Sequence, residues 1–385
     1  MATHKPQFFD TAEPEVVAPP ALEVQWAAEG TPIPELARRL SPAPGNILVK
    51  EVNWLGDLVM SLPALHAIRD AFPETPLSIL VRRELASFFD GADWISEVIP
   101  YRVRGGAAGL LDRASIIREI RSRRFDLAVL FPNSFQSALW VTLAGVPRRA
   151  GYAADRRGFM LTHRALARPD LQKTHQVHHW LTMVAETIGA LRSAEMPPID
   201  INLQSRDRMR IWLSSRRSRP DRPLIALAPV AAYGPAKEWP PERFAALIDI
   251  VFERYRVECA LVGGIDDRER CQQIAAQSTH GAIVAAGETT VGDLIALLSL
   301  CHAFAGNDSG CMHLAGTLGL PAVAIFGSTD PARTGPRGPH VRVIYRGIEC
   351  SPCLERTCRF GHYNCLKEIA AEEVADALEQ FGVFA

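Results

Sequence analysis

From residue 45 onward the chain alternates short, uninterrupted apolar runs with longer stretches whose apolar residues return at helical spacing. The runs NILVK, LSILV and LAVLF in the first half predict strands, as do LIALAPV, CALVGG, AIVAAG, AFAGN, AVAIFG and VRVIY in the second. None alternates apolar with polar positions, so both faces of each strand are expected to be covered, as in parallel sheets flanked by helices. Helices are predicted between them, for example over 241–255, 293–300 and 312–318, and the carboxy-terminal KEIAAEEVADALEQFG reads as a helix ending near Gly382. Strand–helix repetition of this kind predicts an α/β fold with doubly wound sheets.

The repetition breaks once, across 192–223, where RSAEMPP and SSRRSRPDRP collect Pro, Arg and Ser as a surface linker does. That break predicts one domain over 45–205, a second over 220–366 and a closing helix over 367–385, and 385 residues suffice for two domains. Residues 1–44, rich in Pro, Ala and Glu, are expected to form a mobile extension. They lack the basic-then-apolar order of a secretory signal. A formal net charge of -1 argues against a dedicated nucleic-acid binder. No run approaches the roughly 20 apolar residues of a membrane span, so a soluble or peripheral protein is expected.

Three turns carry the candidate chemistry. In VKEVNWLGDLVMSLPALHAIRDAF (49–72) the first strand gives way to Asn53-Trp54-Leu55-Gly56 and then Asp57. A carboxylate there suits a helix cap bonding free backbone N–H groups, or a base displayed at a strand end. Pro63 lacks an N–H and favours a first-turn position, which predicts a regular helix from near Ser61 and leaves Asp57 in the preceding loop. Gly56 is then expected to keep that loop uncrowded. In APVAAYGPAKEWPPERF (228–244), Lys237 lies between Pro235 and Pro240, in a constrained loop that suits a positioned cation or a solvated surface lysine. In FAGNDSGCMHLAGTLGLPAVAIFG (304–327), a strand ends in Gly306-Asn307-Asp308-Ser309-Gly310, and His313 lies in the first turns of the helix that follows. Such a turn offers backbone N–H groups to a phosphate. Asp308 would repel that anion, so it is expected to cap the helix or bond a hydroxyl while Ser309 and Gly310 face the ligand.

Together with FPNSFQSALW and CSPCLERTC, these stretches stand in the order seen in the lipopolysaccharide heptosyltransferases, glycosyltransferase family 9. From about residue 45 to its end the chain resembles that family, and within it the type II enzymes. The resemblance implies a GT-B fold, two Rossmann-like domains facing each other across a cleft, with the acceptor on the first and ADP-heptose on the second. It implies inverting transfer of L-glycero-D-manno-heptose from ADP-L-glycero-β-D-manno-heptose to heptosyl-Kdo2-lipid A, with no metal or other cofactor required. The implied location is cytoplasmic, with peripheral attachment to the inner membrane. By the same resemblance Asp57 is the general base and Lys237 contacts the donor diphosphate. Asp308, Ser309 and Gly310 match the donor loop, and His313 the histidine near the transferred sugar. Thr289 falls at the adenine pocket, Asp266 and Asp267 both stand open as the ribose ligand, and Asn53, Asn133, Arg148 and Arg149 are candidate acceptor contacts.

The remaining clusters are read from their residue types. Arg113, Arg118, Arg121, Arg123 and Arg124 suit a solvated helix face as well as they suit a ligand. Arg148, Arg149, Arg156, Arg157, Arg164 and Arg168 are expected to meet acceptor phosphates, carboxylates or an anionic membrane surface. Cys350, Cys353, Cys358 and Cys365 are close enough in sequence to hold a structural zinc or to remain reactive thiols. Cys259, Cys271, Cys301 and Cys311 read as inert core thiols, and His175, His178 and His179 as part of a helix packed at the domain junction. Competing readings are a relative with another acceptor such as a type I enzyme, a nucleotide-sugar epimerase on a similar fold, and a non-catalytic nucleotide-sugar binder. Asp57 separates them, because a pure binder has no use for a base.

Overall fold

The computed structural model describes residues 40–166 and 173–384. Its strands pair into two parallel six-stranded sheets. The first holds β1 (Ile47–Lys50), β2 (Leu77–Arg82), β3 (Glu97–Tyr101), β4 (Leu127–Leu130), β5 (Arg148–Tyr152) and β6 (His163–Ala165), in the order β3-β2-β1-β4-β5-β6. The second holds β7 (Leu224–Ala228), β8 (Glu258–Leu261), β9 (Ile283–Val284), β10 (Ala303–Asn307), β11 (Ala322–Phe326) and β12 (Val341–Tyr345), in the order β12-β11-β10-β7-β8-β9. Counted from its own first strand, the second sheet repeats the order of the first, so one doubly wound topology is built twice. Strands β1, β4, β7, β10 and β11 are buried along their whole length, which is why they read as unbroken apolar runs.

The first sheet carries α1 (Leu55–Ala71), α2 (Gly106–Ser122), α3 (Phe135–Leu143) and α4 (Gln176–Ile188). The second carries α5 (Leu203–Ser214), α6 (Pro241–Tyr255), α7 (Arg268–Gln277), α8 (Val291–Leu298), α9 (Gly310–Thr317) and α10 (Ala371–Glu379). No helix among the described residues is long and apolar enough to cross a membrane. A continuous apolar cluster runs from Leu58 and Leu62 of α1 to Met312, Leu314 and Ala315 of α9, joining the two units.

Three details differ from the sequence reading. Helix α1 begins at Leu55, not near Ser61, and Pro63 lies inside it. The proline deprives the Val59 carbonyl of its helical donor, at a cost of about 3 kcal/mol, which the burial of Leu58, Val59, Met60 and Leu62 offsets. Helix α5, which opens within the last residues of the span read as the first domain, is bound to the second unit. Arg208 bonds Asp293 at 2.7 Å and the Trp212 indole bonds Glu288 at 3.0 Å. Strands β3, β5 and β6 lie outside the predicted runs. The expected extension, up to residue 39, and Arg168 fall outside the described residues.

Doubly wound sheets open a crevice where the strand order reverses, at the carboxyl ends of the strands. Here the reversals lie between β1 and β4 and between β7 and β10. Asn53 to Asp57 follow β1, Asn133 follows β4, Lys237 follows β7, and Asp308 to His313 follow β10. The topology therefore delivers the three candidate turns to the two crevices.

Candidate active site

On the first unit the chain leaves β1 through Lys50 and Glu51, both almost wholly buried. The Lys50 ammonium donates to the Glu51 carbonyl and to Asn53 Oδ1 at 3.3 Å, and lies 4.8 Å over the Tyr101 ring. The Tyr101 hydroxyl donates to the same Asn53 oxygen at 2.8 Å. The Glu51 carboxylate accepts from the Val52 N–H at 2.9 Å and faces the Ser61 hydroxyl. Burial brings Lys50 down to about 7 and Glu51 up to about 7. Sequence reasoning missed this pair, although a Lys-Glu step closing an apolar strand just ahead of the Asp57 turn was a usable signal.

Asp57 is the third residue of α1. Trp54 is the N-cap in extended conformation, with no side-chain cap bond, so the Asp57 carboxylate stands in the first turn without serving as the cap. Burial lifts it to about 6, against the pull of the Lys237 ammonium and with the push of the Asp308 carboxylate. Those two neighbours come from the other unit.

On the second unit Asn307 ties the two strand-end turns together. Its Oδ1 accepts from the Trp239 N–H at 2.9 Å and its Nδ2 donates to the Pro229 carbonyl at 2.7 Å. That fixes the loop bearing Lys237, whose Nζ sits 2.5 Å from Asp308 Oδ2 and 4.8 Å over the Tyr233 ring. The Thr329 hydroxyl donates to the same Asp308 oxygen at 2.5 Å. Asp308 thus bonds a hydroxyl, one supplied by the chain itself, while Ser309 is the N-cap of α9. The Ser309 Oγ is buried beside the Cys311 thiol, at a helix end that favours an anion.

The amino-terminal ends of α1 and α9 meet head to head. A methyl group at Gly56 would lie 3.0 Å from His313 Cδ2, and one at Gly310 would lie 2.7 Å from Leu55 Cβ. Gly56 therefore makes room for His313, not for an open loop as the sequence suggested. Burial pushes His313 down to about 3, helped by the Lys237 charge, so the ring stays neutral with one donor and one acceptor nitrogen. Gly310→Ala is expected to force the two helix ends apart at a cost of about 1–3 kcal/mol. A lower Tm together with a lower kcat/KM would show it, and an unchanged Tm would mean the ends do not touch in solution.

One ionisable carboxylate in the first unit thus faces a lysine, a helix end and a neutral histidine in the second, an arrangement able to deprotonate one group while holding a phosphate-bearing one. The family model for glycosyltransferase family 9 (heptosyltransferase) matches residues 113–364. The chain belongs to glycosyltransferase family 9. The curated lipopolysaccharide heptosyltransferase 2 of Escherichia coli K12 is 29% identical, over 86% of this chain and 97% of that one. The solved E. coli ADP-heptose LPS heptosyltransferase II superposes with a TM-score of 0.74 at 25% identity, covering 87% of this chain and 98% of that one. A family 9 glycosyltransferase from Veillonella parvula gives 0.77 at 26% identity, covering 87% and 96%. The fold is that of these family 9 enzymes, two doubly wound domains, and the protein is a heptosyltransferase.

The other expected site residues of this family 9 enzyme fall in different places. Thr289 lies just before Thr290, which caps α8 through a reciprocal pair of bonds with Asp293, at the same edge of the second sheet as Lys237. Asp267 turns its carboxylate back onto the Gly264 N–H at 2.7 Å, whereas Asp266 is exposed. Asn53 and Asn133 are exposed at the carboxyl ends of β1 and β4. Arg148 and Arg149 are not so placed. They open β5, at the edge of the sheet away from Asp57, and donate to backbone carbonyls of Pro42, Val146 and Met160. Arg157 is wholly buried and bonds Tyr152 O, Ser134 O and Ser137 Oγ, so it is a structural arginine. Arg123 pairs with Glu97 at 2.6 Å and Glu119 at 2.9 Å on the far end of α2.

His175 caps α4 through Nδ1 and reaches Gly335 of the second domain through Nε2 at 2.9 Å, which is a role at the junction. Among the described residues no group of three or more His, Cys, Asp or Glu side chains is placed to hold a metal ion. Cys350, Cys353, Cys358 and Cys365, expected either to hold a structural zinc or to remain reactive thiols, line one small cavity. Burial pushes the Cys365 thiol up to about 11, helped by the neighbouring Cys350, Cys353 and Cys358.

Proposed function

We propose that the protein transfers L-glycero-D-manno-heptose, with inversion, from ADP-L-glycero-β-D-manno-heptose to heptosyl-Kdo2-lipid A at the cytoplasmic face of the inner membrane. The observation that carries this reading is the grouping of Asp57 with Lys237, Asp308 and His313 across the contact between α1 and α9. The acceptor hydroxyl attacks the anomeric carbon from the side opposite ADP, Asp57 takes its proton, and the bond to the diphosphate breaks. The proton transfer supplies roughly 10²–10⁴-fold. Lys237, the Ser309 hydroxyl and the N–H groups opening α9 meet the charge that grows on the departing diphosphate. Because that charge is largest in the transition state, they lower the barrier rather than merely bind. Asp308 holds the lysine in place, and neutral His313 can donate to the sugar or accept from it.

A lipid acceptor fits the rim of the first domain. Trp54, Leu110, Leu111, Phe135 and Phe159 are exposed on the segments that leave β1, β3, β4 and β5, and Arg102, Arg104 and Arg156 are exposed among them. Apolar side chains interleaved with arginines suit a phosphorylated lipid surface.

Two measurements test the reading. The product of ADP-heptose and heptosyl-Kdo2-lipid A should carry an α-linked heptose by NMR, and a β-linkage would end the inverting mechanism. The pH profile of kcat/KM should show an acid limb near pH 6, since Asp57 must be ionised to act and burial holds its carboxyl at about 6. A rate that stays flat well below pH 6 would remove Asp57 as the base.

A further inference from the structure

The segment 350–365 carries four cysteines that heptosyl transfer does not use. Cys350, Cys353, Cys358 and Cys365 line one small cavity, and two other residues in its wall are Ala236 and Ser328. Ala236 precedes Lys237, and Ser328 precedes Thr329, the residue that bonds Asp308. The cysteine loop is also the brace under both. The Ala236 N–H donates to the Arg356 carbonyl at 3.0 Å, and the Leu354 N–H to the Ser328 carbonyl at 2.7 Å. The Tyr233 hydroxyl donates to the Leu354 carbonyl and the Ser351 hydroxyl to the Gly327 carbonyl, each at 2.5 Å. The Arg356 guanidinium lies 5.0 Å over the same Tyr233 ring that Lys237 faces.

The four thiols differ from the remaining ones in the chain. Burial pushes Cys259, Cys271, Cys301 and Cys311 up, which keeps them protonated and inert. Cys358 is half-exposed, and against what burial it has, the backbone N–H groups of Phe360, Gly361, His362 and Tyr363 around its sulfur bring its pKa down. Cys365 is buried beside it, close enough to Cys350, Cys353 and Cys358 to feel the charge of each. One accessible thiol with a lowered pKa and three more around a shared cavity make a nucleophile with resolving partners.

We propose that this loop is an oxidation site, in which Cys358 reacts with a peroxide, a second thiol of the cavity closes a disulfide with it, and the distorted brace weakens donor binding at Lys237. The Cys358 thiolate attacks the O–O bond of hydrogen peroxide, forming a sulfenic acid and releasing hydroxide, which leaves as water. The second thiol then displaces the hydroxyl of the sulfenic acid as a second water. In sum two thiols and one peroxide give one disulfide and two waters. The disulfide stands on the cysteine geometry alone, whereas its effect on activity rests on the placing of the donor beside Lys237.

Full-length protein is treated with hydrogen peroxide, alkylated, and read by intact mass and peptide mapping, with ADP affinity measured by calorimetry before treatment, after it, and after dithiothreitol. The expected result is a loss of about 2 Da, one disulfide mapped to Cys358 and another of the four, and ADP binding weaker on the order of tenfold, restored by reduction. Cys358→Ser should abolish the mass change and leave ADP affinity unchanged by peroxide. Full alkylation of all four cysteines after peroxide, or a metal bound by the reduced protein that shields them, would overturn the oxidation site. Unchanged ADP affinity in the disulfide form overturns the coupling if Lys237→Ala weakens ADP binding. It overturns the donor placement if Lys237→Ala leaves that binding unchanged as well.

Discussion

Asp57→Asn is expected to lower turnover by roughly 10²–10⁴-fold while leaving ADP affinity near that of the parent protein. The same variant should be as stable as the parent or more so, and this second readout separates base from cap. A helix cap replaced by a poorer one loses about 1 kcal/mol, but the Asp57 side chain makes no cap bond. Its carboxyl is instead raised from 3.8 to about 6, mainly by burial. The native state therefore holds the proton more tightly than the unfolded chain does. Ionising Asp57 removes native stability as pH rises from 3.8 toward about 6, and that loss persists at neutral pH. An uncharged amide escapes it, a gain on the order of 1–3 kcal/mol. Near-parental turnover would remove Asp57 as the base, and a clear fall in Tm would return it to a structural role.

Lys237→Ala is expected to weaken ADP binding and turnover together. One charge-stabilising contact of this type is worth on the order of 3 kcal/mol, or roughly a hundredfold in kcat/KM. The variant should also be less stable, because Asp308, only 4% exposed, would keep the Thr329 hydroxyl but lose its cation. Leaving a buried charge without its partner costs about 3–5 kcal/mol. The double variant Lys237→Met with Asp308→Asn removes both charges, so it should recover much of the Tm and none of the activity. If calorimetry found ADP affinity unchanged in Lys237→Ala, the lysine would be a brace for Asp308 and not a ligand for the diphosphate.

The parts of the fold legible in the sequence were those whose cause is local. Strands β1, β4, β7, β10 and β11 are buried on both faces, so they had to be apolar throughout. β3, β5 and β6 carry Pro100, Arg148, Arg149 and Arg164, and they hid behind those residues. Pro100 is tolerated because β3 is an edge strand, paired with β2 alone. The arginines hid twice, because a basic cluster reads as an anion site. In fact Arg148, Arg149 and Arg157 satisfy backbone carbonyls of their own domain.

The start of α1 was misplaced for a physical reason as well. Pro63 looks like a first-turn residue, and the burial of α1 against its own sheet and the second domain lets it stand mid-helix. The three chemical turns were visible because strand-end turns are short and distinctive. Their relation was not visible, since the Lys237–Asp308 pair and the His313–Gly56 contact join segments remote in the chain. The pairing of β7 with β10 brings the first pair together, and the packing of α1 on α9 the second.

The most direct test of heptosyl transfer to the inner core is a product assay by mass. The purified protein is incubated with ADP-heptose and, separately, with Kdo2-lipid A, heptosyl-Kdo2-lipid A and a diheptosylated acceptor. The expected result is the gain of one heptose on heptosyl-Kdo2-lipid A, matched by release of ADP, and little gain on the other two. Preferred transfer to Kdo2-lipid A, or release of ADP with no heptose gained by any acceptor, would contradict it.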